Sequence, residues 1–466
     1  MVFRRPMILL LGFTALTFIG TCTFQFVYDD NLQIVENPHV QAWHFAPSYF
    51  TRHVWAQDPD APHQYYRPLF LLILRLLHAV FGLWSPGWHF ALVLCHVGAV
   101  ACVYWLVQQW KSPQTALTAA ALFALHPVHA EVVSWVSAIG EPCLLIVLIG
   151  SLVLVRRPGT WNLVAASVLY ALGLLLKETA VIWPFVIFVV LYEDLGRTIR
   201  RTLPFWGITA AYLLIRAAVL GDVVVSANDR STPDFALIPT ALGHYFFHLV
   251  WPVKLSEFYF LHASWMYLVV VIPVLAGLIW VAGEGQYQRT AVLILLLPLV
   301  PVLNLKALRS ESLLQDRYLY IPSVGFVMLI APLLKLVPKP AVAILMLAMI
   351  AGCIRESKTW SDSEHLYGRA LELSPTDQRA RDGLARAYAK QGRYGEAINI
   401  LEPLVKEPQP SARRLQQSFM TLAYSHEQMG HSEQALAYYT AADNLYPRPD
   451  IEQHIRALQA APASSR

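Results

Sequence analysis

Charge is what this sequence has least of. Charged residues make up 14% of its 466 residues and hydrophobic ones 56%, against about 25% charged in an ordinary soluble chain. That balance excludes one water-facing globule. No basic face interleaved with aromatics stands out, and the net charge is only +4, so nucleic acid is not an expected partner. Cysteine is scarce too: Cys22, Cys95, Cys102, Cys143 and Cys353 all lie in or beside apolar segments. None is placed to staple a soluble part, so a disulfide framework is not implied and inert buried thiols are expected. No small-residue cleavage site follows the first apolar run. Met7 to about Val27 therefore reads as an uncleaved span behind Arg4 and Arg5, not as a signal peptide.

Long apolar runs are what the chain has in quantity. From Met1 to about Ile354 they recur at lengths of about 17–22 residues, enough to cross a bilayer as helices. The pattern predicts an all-α, polytopic bundle of about 11 spans. They lie near 7–27, 88–107, 115–126, 141–155, 161–177, 180–192, 203–220, 265–282, 290–304, 318–334 and 340–354. With the N-terminus inside, alternate loops carry Arg4 and Arg5, Lys111, Arg156 and Arg157, then Arg197, Arg200 and Arg201, Arg289, and Lys335 with Lys339. Nearly every compact basic cluster then falls on one side, as the positive-inside rule requires. An odd number of spans puts the C-terminal part on the other side. The expected setting is a bacterial inner membrane, with a cytoplasmic N-terminus and a periplasmic C-terminal domain.

The opposite loops are long and of mixed charge. The first, Tyr28 to about Pro86, holds Asp29, Asp30, Glu36, Asp58, Asp60 and Arg67. Its apolar stretch from Leu69 to Phe81 contains Arg75 and His78, and reads as an interfacial segment. A second loop runs from about Gly221 to Ser264, and a third from Asn304 to Arg317.

After Arg355 the apolar runs stop. Leu384, Ala385, Tyr388, Gly392, Tyr394 and Ala397 match the spacing of a tetratricopeptide helix pair, and Leu422, Ala423, Gly430, Ala435, Tyr439, Ala442 and Pro447 match it again. Tyr367, Ala370 and Pro375 make a half-match before them, and an insertion is expected at the Glu407–Ser411 turn. This gives a membrane domain over 1–354 and a repeat domain over 355–466. Stacked repeats present a concave face suited to holding a protein or peptide.

The candidate chemistry lies on the outer side. Asp29-Asp30 follows the first span. It reads either as a polar boundary or as a general base with a partner that tunes it. Arg67 precedes an apolar helix, where a guanidinium fork suits phosphate or anchors the interface. His126-Pro127-Val128-His129-Ala130-Glu131 closes the third span. Its spacing is a weak zinc pattern, so no metal is assigned, and contacts to a sugar or phosphate compete with a plain helix end. Lys177-Glu178 interrupts an apolar run, either as a functional pair or as a turn held by its own ion pair. Glu141 sits at the outer end of a span. Asp316-Arg317-Tyr318 introduces another, with Arg317 placed to face an anionic headgroup.

Taken together, Tyr28-Asp29-Asp30 with Asn37, Tyr66-Arg67-Pro68-Leu69, the His126–Glu131 run, Leu176-Lys177-Glu178 and Asp316-Arg317-Tyr318-Leu319-Tyr320-Ile321-Pro322-Ser323 resemble the transmembrane and tetratricopeptide-repeat proteins. These are a branch of the GT-C glycosyltransferases related to protein O-mannosyltransferases. The resemblance covers nearly the whole chain. It implies an inverting transferase that moves a sugar from a polyprenyl-phosphate donor to an acceptor hydroxyl, Ser or Thr of an envelope protein, held by the repeats. It implies no cofactor or metal. The acidic pair supplies the catalytic carboxylate, Asp29 with Asp30 as the close alternative. Arg67, His126, His129, Glu131, Glu141, Lys177, Glu178 and Arg317 are the expected donor phosphate and sugar contacts. Two other classes stay open: a non-catalytic scaffold recruiting envelope proteins, and a lipid-linked glycan ligase or transporter.

Overall fold

In a computed structural model the described residues are 4–57, 65–192, 194–221, 234–259, 262–303, 314–408 and 412–460. Every regular element among them is a helix. The predicted Asp58 and Asp60, most of the Asn304–Arg317 loop and part of the Glu407–Ser411 insertion lie outside the described residues. The chain divides into two units, Met1–Ser361 and Asp362–Arg466. The division falls beyond Ile354 because the last long helix of the first unit runs on to Lys358.

The first unit contains α1 (Arg4–Phe18), α2 (Pro68–Phe81), α3 (Ser85–Val107), α4 (Pro113–Ala124), α5 (Ala130–Ser134), α6 (Gly140–Val155) and α7 (Thr160–Leu176). It continues with α8 (Trp183–Val190), α9 (Leu195–Leu220), α10 (Leu237–Val250), α11 (Leu268–Gly283), α12 (Gln286–Leu296), α13 (Pro322–Ile330) and α14 (Lys339–Lys358). The predicted spans coincide with helical segments over most of their described residues, and the count of about 11 is not confirmed. Among the described residues, six helices are long and apolar enough to cross a membrane, seven if the bent pair Pro113–Ala124 and Pro127–Ser134 is one span. The others are short: at 1.5 Å per residue, the 14 residues of Pro68–Phe81 cover about 21 Å of a core about 30 Å thick. The first span also ends early, since a 3-10 turn closes it at Thr23 and leaves Phe24 onward as loop.

Hydrophobicity points both ways in this unit. Trp88, Leu92, Phe123, Tyr170, Trp183 and Phe205 are fully buried in its core. Ile8, Leu9, Phe13 and Leu16 on α1, and Val269, Ile272, Ile279 and Trp280 on α11, stand exposed. Apolar residues outside as well as inside are what a lipid-facing helix needs. Within the bundle, α12 and α13 touch backbone to backbone at Gly325. A Cβ there would lie 2.2 Å from the Ala291 carbonyl oxygen and 2.5 Å from the Leu295 nitrogen. Gly325→Ala is expected to destabilise by about 1–3 kcal/mol, read as a lower unfolding temperature in detergent. Gly12→Ala, which meets open space, should leave that temperature unchanged.

The second unit is a stack of helices, α15 (Ser363–Leu373), α16 (Gln378–Lys390), α17 (Tyr394–Leu404), α18 (Ala412–Gln428), α19 (Ser432–Leu445) and α20 (Pro449–Ala460). Asp362 and Asp377 cap α15 and α16 by accepting backbone N–H bonds. Gly392 and Gly430 adopt φ of +79° and +78°, the left-handed turn that ends α16 and α18. Ala385, Ala397 and Leu401 pack one repeat, Ala423, Tyr439 and Ala442 the next.

Candidate active site

The site begins at a strained residue. Tyr28 takes φ +53°, a conformation that costs a bulky side chain energy and persists only where its surroundings enforce it. Its ring is held against Trp135, 5.6 Å away, and Phe258, 5.7 Å away. The turn throws the two following carboxylates in different directions. Asp30 is fully buried. One of its oxygens accepts from the Ser137 N–H at 2.8 Å and the Ser137 hydroxyl at 2.6 Å, the other from the Val27 N–H at 3.2 Å. Asp29 is half-buried and makes no hydrogen bond or ion pair among the described residues. Desolvation and the nearby Glu257 and Asp30 carboxylates hold its pKa up to about 7 against the pull of Arg317. Asp30 also rises to about 7, through desolvation that its hydrogen bonds only partly offset.

Three cations gather around this pair, each tied to glutamate. Arg67, in the loop before α2, forms a two-point contact with Glu178 at 2.8 and 2.5 Å and stacks over Tyr65. Lys177, at the end of α7, pairs with Glu141 in the first turn of α6. Arg317 bridges Glu131 at 2.6 Å and Glu257 at 2.7 Å, and its backbone N–H also bonds Glu131. The Tyr318 ring lies between Lys177 and Arg317, 5.3 and 5.4 Å from each, and Trp135 backs Arg317 at 4.9 Å. Not all donors are spent. Arg67 Nη1, Arg317 Nε and Nη2, and two hydrogens of Lys177 have no protein acceptor among the described residues, which leaves forks open to an incoming oxyanion.

Several expected residues already have protein partners. His126 accepts the Val128 N–H and bonds the Leu249 carbonyl at 2.9 Å, and His129 bonds Ser323 at 2.9 Å, both rings buried. Their contacts are with the packed interior and not with the charged set. The Lys177-Glu178 pair does not close on itself: each residue reaches a different partner. Glu131, Glu141 and Glu178 orient cations rather than standing free. Asn37 caps the one-turn helix Pro38–Gln41. No group of His, Cys, Asp or Glu among the described residues is arranged to hold a metal.

Sequence reasoning missed Glu257, 2% exposed, and the lock that carries it. Asp316 accepts from the Tyr259 hydroxyl at 2.8 Å and meets His248 at 3.1 Å, and Gln315 donates to Glu257 at 3.2 Å. The segment after α10 is thereby fastened to the segment before α13. Glu257 lies in a loop without a recognisable motif, so only its pairing with Arg317 reveals it.

Comparison with known proteins now adds to this geometry. Residues 60–220 match the dolichyl-phosphate-mannose-protein mannosyltransferase family, and 355–418 and 416–449 match tetratricopeptide repeats. The resemblance read from the motifs is borne out. A protein O-mannosyl-transferase of Caenorhabditis elegans is 24% identical over 83% of this chain and 60% of its own length. One of Homo sapiens is 24% identical over 80% and 62%, and one of Drosophila melanogaster is 32% identical over 35% and 19%. The chain thus spans about three-fifths of the length of the first two. With its apolar helices, it is a multi-pass membrane protein.

Proposed function

We propose that the chain is an inverting glycosyltransferase that moves a mannose-type sugar from a polyprenyl-phosphate donor to the hydroxyl of a protein acceptor. One observation carries the reading. Of the carboxylates in the cluster, Asp29 alone makes no hydrogen bond or ion pair among the described residues, and Arg317, with open donors, acts on its charge. An acceptor oxygen attacks the anomeric carbon as the carbon–phosphate oxygen bond breaks. The hydroxyl proton passes to Asp29 and the electron pair leaves with the phosphate, with inversion at carbon. The leaving phosphate gains a negative charge, which the open forks of Arg67 and Arg317 and the Lys177 ammonium would meet. The chain's similarity to protein O-mannosyl-transferases supports the same class.

The test is sugar transfer by the purified full chain in lipid, from polyprenyl-phosphate mannose to Ser- and Thr-containing acceptor peptides. Transfer with an inverted anomeric product is expected. Failure across a broad panel of donors and acceptors would leave a scaffold as the better reading. The one-sided basic loops support a cytoplasmic N-terminus, with Asp29 and the repeats on the outer face; in a bacterial envelope this is the periplasmic side of the inner membrane. A reporter fused after Arg466 should be active outside the cytoplasm, and one fused near Gly196 active inside. The reverse result would overturn that orientation.

A further inference from the structure

The two ends of the helix bundle treat their cations in opposite ways. Around Asp29, Arg67, Lys177 and Arg317 are all paired with glutamate. At the far end of α6, about 22 Å away at 1.5 Å per residue from Glu141 to Arg156, lie Lys111, Arg156, Arg157 and Arg201. None of these pairs with a carboxylate among the described residues. Glu284, exposed at the end of α11, forms no ion pair with them.

Two of these cations are held in place. The Arg156 guanidinium lies 3.8 Å from the centre of the Trp110 ring, and the Lys111 ammonium 4.4 Å from that of Tyr287. The two rings meet edge to face at 6.1 Å. Trp110 donates to Gln286 at 3.3 Å and the Tyr287 hydroxyl to the Met328 carbonyl at 2.6 Å, so both rings are fixed. Arg156 Nη1 is buried without a hydrogen-bond partner. Arg201 donates to the Val155 carbonyl and so brings a further positive charge beside Arg156. Orienting the membrane needs only the number of positive charges on a side. It does not require that they be locked over aromatic rings with a donor left unsatisfied.

We propose that this end of the bundle is a binding site for the phosphate of an anionic lipid headgroup, framed by Trp110 and Tyr287 and charged by Lys111 and Arg156. A phosphodiester oxygen would sit between the Arg156 guanidinium and the Lys111 ammonium and relieve the repulsion between them. An exposed aromatic beside the site favours a lipid over a soluble anion. Trp161, at the start of α7 and at the same end, is 84% exposed, as an interfacial anchor is.

The experiment is native mass spectrometry of the full chain with added phosphatidylglycerol, phosphatidylcholine of the same chain length, or inorganic phosphate. Wild type should retain one phosphatidylglycerol and no comparable phosphatidylcholine. K111Q/R156Q should weaken retention about 25-fold, about fivefold for each cation lost near an anionic surface. R200Q, an exposed cation at the same end, should change nothing. Because the double variant could fold poorly, K111R/R156K serves beside it and should retain the lipid. Equal retention by K111Q/R156Q, equal retention of phosphatidylcholine, or an equal loss in R200Q would overturn the proposal. So would loss in K111R/R156K as large as in K111Q/R156Q. Displacement by inorganic phosphate at the lipid's own concentration would mean that the site reads a free phosphate, and the lipid assignment would fall.

Discussion

Asp29→Asn is expected to lower sugar transfer about a hundred- to ten-thousand-fold, the usual contribution of a general base, while expression and unfolding temperature stay near wild type. The amide fits the same space and breaks no hydrogen bond or ion pair, because the carboxylate makes none among the described residues. With its pKa near 7, Asp29 is protonated and unable to accept a proton at lower pH. The rate in wild type should therefore fall about tenfold per unit below about pH 7. Asp30 titrates in the same range, so the two must be told apart by variant. Asp30→Asn turns an N–H donor toward either the Val27 N–H or Ser137. It should cost about 1–3 kcal/mol of stability but keep the acidic limb in whatever activity remains. Transfer at the wild-type rate in Asp29→Asn would sink the role assigned to it. A limb lost in Asp30→Asn and kept in a slow Asp29→Asn would move the base by one residue.

Why the adjacent acids differ is not legible in their sequence. Asp30 is occupied by Ser137, which lies 107 positions away, and only folding brings that hydroxyl and amide to it. The same holds for Arg317: its motif announces a cation before a helix, but its partners Glu131 and Glu257 are 186 and 60 positions distant. Local sequence does give the helices, the repeats and the presence of an acidic pair next to cations, because periodicity, capping residues and charge in apolar surroundings are local signals. It does not by itself fix which of the helices cross the membrane, for a physical reason. A buried helix and a spanning one can be equally apolar, and helices such as α4 and α8 are short, at 12 and 8 residues. His126 and His129 stand at a spacing that ligands share with ordinary helix ends. Nothing nearby in sequence shows that the Leu249 carbonyl meets His126 Nε2 and the Ser323 hydroxyl meets His129 Nε2.

Arg317→Gln should be the most damaging change at the site, and its effects can be separated. Glu131 and Glu257 have side chains only 3% and 1% exposed, so removing the guanidinium leaves two buried carboxylates facing each other without a cation. Breaking a buried pair in this way costs about 3–5 kcal/mol. Adding Glu257→Gln removes one of the stranded charges, and the double variant should recover much of that stability, read by thermal unfolding in detergent. It should not recover transfer, because a neutral glutamine cannot meet the charge that builds on the departing phosphate. Recovery of both would make Arg317 a structural strut. The pH profile gives an independent readout. Glu257 raises the pKa of Asp29 and Arg317 lowers it. Glu257→Gln alone should therefore shift the acidic limb to lower pH, and Arg317→Gln should shift any residual activity to higher pH. A limb that stays put in Glu257→Gln would mean that the group titrating near pH 7 is not one that this loop faces.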